Sequence, residues 1–330
     1  MRKLVSVQKV SNLYPIAGAD QIEMARVLGW ELVVKKGEFK PGDLCVYGEI
    51  DSIFPSDNPN FAHLEGKHIK TIKLRGQISQ GIAFSLSILP EGLYQEGDDV
   101  TEILGVTKYD PAPLDPSQNA APFPGWIVKT DEERIQTCPE LIDPEQIAEN
   151  QLYMATEKLD GCSATYYLNL NSIDHPFGVC SRGQEIVNPD QSVYWRMAST
   201  LKVRQILENL ASRHQVSQVV LQGEIIGEGV QKNKYKIKGL DFYAFNLLLN
   251  GQKHNALEIN QLLADLNLKA VPVLSENFVL PSVIADLIKL AEGFSLLNPQ
   301  THREGLIIRS YNHRVSFKAI NPQFLLKYDS

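Results

Sequence analysis

Five prolines fall within residues 109–124 and divide the chain into two unequal parts. The same stretch contains alanine, aspartate, asparagine and serine but few large apolar side chains. Because proline fixes φ and cannot donate a backbone hydrogen bond, this composition favours an extended connection over a core element. We therefore predict two domains, residues 1–108 and residues 127–330, joined by a linker at residues 109–126.

The pattern before the prolines is typical of a small antiparallel β-barrel. Turn signals such as Lys40-Pro41-Gly42-Asp43 and Gln95-Glu96-Gly97-Asp98 separate short apolar runs. The predicted strands are residues 4–10, 24–28, 31–34, 44–50, 69–74 and 82–84. We expect an OB-like barrel, and spacing alone is equally compatible with other small barrels. A basic cluster in this part either lies on a nucleic-acid duplex or is an ordinary solvated strand face; it consists of Lys67, His68, Lys70, Lys73 and Arg75.

The second part of the chain combines short buried strands with amphipathic helices. Residues 219–221, 242–249 and 306–308 are apolar runs with β-branched or aromatic side chains, which predict strands. Residues 195–214 and 258–266 carry apolar side chains at helical spacing. We therefore predict an α+β fold, in which antiparallel sheets flanked by helices follow the N-terminal barrel.

Segments rich in carboxylates and lysines follow one another along this second part. The first is Glu157-Lys158-Leu159-Asp160-Gly161. The later ones are Ser181-Arg182-Gly183, Gly223-Glu224-Ile225-Ile226-Gly227, Asp241-Phe242-Tyr243-Ala244-Phe245-Asn246, Glu304-Gly305-Leu306-Ile307-Ile308-Arg309 and Ser316-Phe317-Lys318-Ala319-Ile320. A single lysine or glutamate of this kind is more often a solvated surface residue. Several charged groups placed at strand ends beside glycines favour one shared cleft instead.

This ordered set resembles the covalent lysine nucleotidyltransferases, the superfamily of ATP-dependent DNA ligases, RNA ligases and mRNA capping enzymes. The wording of the motifs and their position after a long N-terminal region look most like nick-sealing RNA ligases with an N-terminal OB domain. DNA ligases and capping enzymes typically carry their OB domain after the last motif, where only residues 321–330 remain here. The alternatives are a DNA ligase and a nucleotide-binding module without catalysis. The presence of Lys158 argues against the module.

The resemblance implies a nucleophile and a metal site. Lys158 would attack the α-phosphorus of ATP and form a lysyl-AMP intermediate. Because the unperturbed pKa of lysine is about 10.4, burial, a divalent cation or the nearby ammonium of Lys318 is expected to lower it. Asp160, Glu224 and Glu304 are the candidates to hold Mg²⁺ or Mn²⁺ through water molecules.

The resemblance also implies a nucleotide pocket. The predicted ATP-binding residues are Glu157, Lys158, Asp160, Gly161, Arg182, Glu224, Phe242, Glu304 and Lys318. Side chains alternate along residues 241–246, so only one of Phe242 and Phe245 can line the pocket. We expect Phe242 to sandwich the adenine, as the aromatic of this family segment does, and Phe245 to pack in the core. Ile320 stands where family members often have a second lysine, so a phosphate contact there is not expected.

The expected partner is a nicked duplex of RNA or an RNA/DNA hybrid, contacted by Arg182, Lys232 and Lys234. The net charge of −7 argues against general coating of nucleic acid, so any contact must be local. Four cysteines without metal or disulfide spacing suggest a reducing compartment. With no signal sequence or membrane-length apolar run, we expect a cytoplasmic monomer.

Overall fold

The computed structural model of the chain describes residues 3–109, 120–145, 147, 151–187 and 192–328. Most of the predicted linker, residues 110–119, lies outside the described residues. Within the described ranges, no helix has the length and apolar character needed to cross a membrane.

The N-terminal domain is built from short antiparallel strands. They are β1 Val5–Pro15, β2 Ile22–Val27, β3 Trp30–Lys35, β4 Leu44–Gly48, β5 Ser52–Ile53, β6 Thr71–Leu74, β7 Gln77–Gln80, β8 Ile82–Phe84 and β9 Thr107–Lys108. The main sheet has the order β3-β2-β1-β4-β8. The first half of β1 pairs with β4 and the second half with β2, with an irregularity between Val10 and Asn12. This double pairing curves the sheet, as a small barrel requires.

The C-terminal domain contains the remaining strands and the α-helices. Its strands are β10 Ala120–Pro122, β11 Glu133–Arg134, β12 Tyr153–Lys158, β13 Cys162–Asn169, β14 Phe177–Cys180, β15 Gln184–Ile186, β16 Gln218–Gly227, β17 Leu240–Leu249, β18 Gln252–His254, β19 Lys269–Ala270, β20 Val273–Phe278, β21 Gly305–Ser310 and β22 Ser316–Ile320. Its helices are α1 Val193–Thr200, α2 Val203–His214, α3 Ala256–Leu263, α4 Ile284–Ala291 and α5 Pro322–Tyr328. Short 3₁₀ turns occur at Ala62–Leu64, Leu86–Ile88, Pro139–Ile142, Gln231–Asn233 and Ala264–Leu266.

Two sheets of this domain face each other across a cleft. The larger sheet has the order β10-β15-β14-β13-β16-β17-β18, with β19 added beside β17, and the smaller one has the order β11-β22-β21-β12-β20. Helices cover the outer face of each sheet through apolar contacts. Helices α1 and α2 pack on the larger sheet, and α4 packs on the smaller one. The sheets are also joined directly, because Arg309 Nη1 of β21 donates to the carbonyl oxygen of Phe245 in β17 at 2.9 Å.

The end of the predicted linker belongs to the larger sheet. Ala120–Pro122 forms β10 and pairs antiparallel with β15. Phe123 and Ile127 then pack against Tyr167 and Val220 on that sheet. An edge strand tolerates Pro122, because one side of such a strand makes no ladder hydrogen bonds.

The two domains are held together by residues of β11 and of the segment that follows it. Arg134 forms an ion pair with Asp51 at 3.1 Å, and Thr137 Oγ1 donates to Glu49 Oε1 at 2.9 Å. The Gly29 amide donates to the carbonyl oxygen of Gln136 at 2.9 Å. A Cβ atom at Gly29 would lie 2.9 Å from the Gln136 Cα atom, so this approach requires glycine. The N-terminal domain thus contacts β11 and the residues that follow it. Strand β11 in turn pairs with β22 of the smaller sheet.

Candidate active site

Lys158 ends β12 and lies beside a carboxylate from the neighbouring strand. The strand register pairs Lys158 with Gly305, which brings Glu304 next to the lysine. Lys158 Nζ donates to Glu304 Oε1 at 2.6 Å, as a charge-assisted hydrogen bond. The side chains are 25% and 15% exposed, so the pair is recessed but reachable.

The surroundings of Lys158 raise its pKa instead of lowering it. Burial alone lowers the pKa, but the charges of Glu304, Glu224 and Asp160 outweigh burial and raise it. Without a bound cation, the expected net lowering of the Lys158 pKa is therefore not found. Three carboxylates around one ammonium ion favour the charged form of the lysine.

Two further carboxylates lie near Lys158: Asp160 in the turn that follows it, and Glu224 in β16. The Gly161 amide donates to Glu224 Oε1 at 3.1 Å, and a Cβ atom at Gly161 would lie 2.2 Å from the Ile225 carbonyl oxygen. Burial, with Glu304 nearby, raises the pKa of Glu224 to about 8. Burial and Glu304 also raise the pKa of Asp160 to about 6, against the opposing effect of Lys234.

These carboxylates suit a hard cation held through water. Glu304 Oε2 is buried and has no hydrogen-bond partner in the described structure, so one acceptor at the cleft is unused. The raised pKa values of Asp160 and Glu224 indicate that added positive charge would be favourable there. Among the described residues, no three side chains of His, Cys, Asp or Glu are grouped to chelate one ion directly. Water-mediated binding, as predicted, fits both observations.

Lys318 and Arg182 lie around a carboxylate that sequence reasoning did not identify. Phe317 and Ala319 face α4, so the intervening Lys318 points to the cleft face, with β21 between it and Lys158. Arg182 is exposed and forms an ion pair with Asp131. Burial raises the pKa of Asp131, but Arg182, Lys318 and Lys108 together lower it below its usual value. Three cations therefore converge on this side of the cleft, and one of them comes from the N-terminal domain.

The structure corrects the position of the aromatic residues. Phe242 pairs with Ile225, and both belong to the core between the larger sheet and its helices. The Phe242 side chain is 1% exposed and makes an edge contact with Tyr166, so it does not line the cleft. Phe245 is half-buried and packs against a cluster on the opposite, Glu224-bearing face.

Glu157 is turned away from Lys158. Its side chain is 1% exposed, and Oε2 accepts from the Leu296 amide at 2.8 Å. Burial raises the pKa of this carboxyl, although Ser295 and Leu296 donate hydrogen bonds that act against the rise. The side chain anchors the 295–296 loop, and a contact with ATP remains a prediction.

The lysine-rich segment after β16 is a turn, not a strand. Gln231, Lys232 and Asn233 all have positive φ values, which places this segment in a tight turn. The Lys234 side chain is 10% exposed and forms an ion pair with Asp160. The predicted contact of Lys234 with nucleic acid is therefore wrong. Lys232 is exposed, and a nucleic-acid contact there remains a prediction.

Tyr235 and Glu132 also support the site and were missed in the sequence. The Asp160 amide donates to the hydroxyl oxygen of Tyr235 at 2.7 Å, which fixes the turn after Lys158. Glu132 accepts from Arg309 Nη2 at 2.8 Å. Arg309 is the last residue of the segment that begins at Glu304, but nothing in the sequence indicates that it pairs with Glu132, 177 positions away.

Comparisons with known proteins agree with this architecture. Residues 4–86 match the family model of an OB-fold domain, and residues 151–328 match that of RNA ligase. The Naegleria gruberi RNA ligase solved with PPi is 37% identical, and the match covers 100% of this chain and 99% of that one with a TM-score of 0.87. A variant of that ligase solved with ATP and Mn is 37% identical over 99% of both chains, with a TM-score of 0.88.

A second variant, solved with AMP and Mn, is also 37% identical over 99% of both chains, with a TM-score of 0.88. Comparison with curated proteins gave no match. The expected N-terminal OB fold and α+β architecture are confirmed. The chain belongs to the RNA ligase family.

Proposed function

We propose that this protein is an ATP-dependent RNA ligase that seals nicks with a 3′-hydroxyl and a 5′-phosphate in duplex RNA or RNA/DNA hybrids. The observation that supports this most is the position of Lys158, hydrogen-bonded to Glu304 in a cleft that also contains Asp160 and Glu224. The related Naegleria ligase has been solved with ATP and Mn and with PPi, which supports ATP and a divalent cation as the ligands here.

In the first step, the Nζ atom of Lys158 attacks the α-phosphorus of ATP. A nitrogen–phosphorus bond forms, the bond from the α-phosphorus to the bridging oxygen breaks, and pyrophosphate leaves. Glu304 Oε1 lies 2.6 Å from Nζ and is placed to accept the lysine proton. A bound divalent cation would supply positive charge near Asp160, Glu224 and Glu304.

In the second step, an oxygen of the 5′-phosphate attacks the same phosphorus and the bond to Lys158 breaks, which leaves AMP on the 5′ end. In the third step, the 3′-hydroxyl oxygen loses its proton to solvent and attacks the 5′-phosphorus, a phosphodiester bond forms, and the bond to AMP breaks. Arg182 and Lys318 are placed to balance phosphate charge, since both lie around Asp131 at the cleft.

Phe245 replaces Phe242 as the proposed platform for adenine. It is half-buried on the cleft side of β17, and the carbonyl oxygen of Phe245 is fixed by Arg309. An aromatic ring in this position can stack on a base without selecting it by hydrogen bonds.

The test of the first step uses ATP and Mg²⁺ or Mn²⁺ without nucleic acid, followed by intact-protein mass spectrometry. The expected product is one AMP on the wild type and none on Lys158→Ala. A wild type without the adduct would favour the binding-module alternative.

Substrate choice is tested with nicks that differ only in the sugar at the 3′-hydroxyl end. A site that bonds the 2′-hydroxyl is expected to seal the ribose end faster by orders of magnitude, because the deoxyribose end leaves polar groups unpaired. Equal rates at both ends would favour the DNA ligase alternative.

A further inference from the structure

A pocket lined by lysines opens beside the active site. It has a volume of about 500 Å³, within the range of ligand pockets. Its wall is formed by the turn after β16, by residues 300–301 and by the end of α5. Four lysines contribute to it: Lys232, Lys234, Lys236 and Lys327. No carboxylate is found in its lining among the residues that the structure describes.

The turn that carries the lysines is held in a constrained conformation. Positive φ values at Lys232 and Lys236 are unusual for side chains of this size and cost free energy. Thr301 Oγ1 donates to the Lys234 carbonyl oxygen at 2.7 Å, and Asn298 Nδ2 donates to that of Tyr235 at 3.3 Å. The protein thus holds a strained turn in place by hydrogen bonds from Thr301 and Asn298.

Lys234 connects the pocket to the active site. Its ammonium group forms an ion pair with Asp160 and lies over the rings of Phe324 and Tyr328, at 5.1 and 5.6 Å from their centroids. Lys232, Lys236 and Lys327 are exposed to solvent on the pocket wall. The pocket therefore concentrates positive charge on a protein whose net charge is −7.

We propose that this pocket binds the phosphodiester backbone of the nucleic-acid substrate next to the break, with Lys232, Lys236 and Lys327 facing the phosphates. This proposal rests on the proposed ligase function. Lysine is a compact point charge suited to phosphate oxygens. Lys234 lines this pocket and also pairs with Asp160, so a strand bound along the pocket would pass next to the active site.

The test measures binding of a nicked duplex to Lys232→Gln/Lys236→Gln over a series of KCl concentrations, with no ATP present. Removing one lysine–phosphate ion pair is expected to reduce the slope of log K against log[salt] by about 1, so the double variant should show a slope smaller by about 2. At about 0.1 M salt the affinity should fall roughly 10–100-fold. Because no chemistry is needed, failure of the ligase function would not affect this measurement.

Two matched variants serve as controls. Arg204→Gln/Lys289→Gln removes the same charge from the outer helices α2 and α4 and should keep the wild-type slope. Lys232→Arg/Lys236→Arg keeps the charge and should restore binding. An unchanged slope in the glutamine variant would overturn the proposal. So would wild-type nucleic-acid binding combined with a higher ATP requirement for lysyl-AMP formation, which would assign the pocket to the phosphates of ATP.

Discussion

Replacing Phe242 and Phe245 separately by alanine should separate protein stability from ATP binding, because each change should affect mainly one of the two. Phe242 is 1% exposed in the core beneath α1 and α2, whereas Phe245 is half-buried at the cleft. Phe242→Ala should therefore destabilise the domain with little direct effect on ATP binding. Phe245→Ala should weaken ATP binding and cost less stability.

The magnitudes follow from the surroundings of each ring. Phe242 meets the ring of Tyr166 at 5.4 Å between centroids, and its own ring fills the space over Gly223. Phenylalanine-to-alanine changes in such cores cost about 3–5 kcal/mol, which lowers the Tm of a domain this size by roughly 6–20 °C. Removal of base stacking at Phe245 should cost about 1–3 kcal/mol, equivalent to a rise in KM for ATP of about 5–150-fold.

The assay combines thermal unfolding with lysyl-AMP formation at varied ATP concentrations. Phe242→Leu keeps most of the volume and serves as the control for Phe242→Ala, with an expected cost below about 1.5 kcal/mol. A Phe242→Ala protein with near wild-type Tm and a raised KM for ATP would refute the assignment of this ring to the core. It would also restore Phe242 as the adenine platform.

Three further outcomes are expected. Lys158→Arg keeps a cation beside Glu304 but offers no free amine, so mass spectrometry should find no AMP adduct and the Tm should stay close to wild type; an adduct on this variant would place the nucleophile elsewhere. Glu224→Gln should raise the Tm at pH 8 but not near pH 4. Since the pKa of Glu224 rises from 4.5 to about 8 on folding, the native state binds a proton that the unfolded state has released, and stability falls as pH rises through this window; an equal effect at both pH values would contradict this. Asp51→Asn removes a charge partner of Arg134, whose side chain is 11% exposed, and should lower the free energy of unfolding by about 1–3 kcal/mol in a denaturant titration. An unchanged midpoint would show that this ion pair between the domains contributes nothing.

Local patterns in the sequence predicted most of the elements that build the site. The apolar runs at residues 219–221, 242–249 and 306–308 became the centres of β16, β17 and β21. Helical spacing at residues 195–214 marked α1 and α2, although Leu201 and Lys202 separate the two helices. These signals depend on neighbours in the chain, so no knowledge of the tertiary fold was needed.

The errors came from features that depend on distant residues. Alternation correctly put Phe242 and Phe245 on opposite faces, but only the pairing of β17 with β16 reveals which face carries Glu224. Lys234 was expected to contact nucleic acid, but hydrogen bonds from Asn298 and Thr301 hold the turn that carries it, and Lys234 pairs with Asp160. Strand register and long-range hydrogen bonds are set by packing, and a single sequence does not display them.

The raised pKa of Lys158 explains how one cleft can favour both a resting and a reactive lysine. In the ligand-free protein the neighbouring carboxylates, Glu304 foremost, outweigh burial and raise the pKa of Lys158, so at neutral pH the side chain is an ammonium ion with no lone pair for attack. The same carboxylates form the proposed cation site. Positive charge bound near them would offset their effect on the lysine, and burial, the largest single influence, would then lower the pKa. For the proposed function, activation of Lys158 would therefore depend on ligands that neutralise these carboxylates, which would link formation of the nucleophile to binding of its substrate.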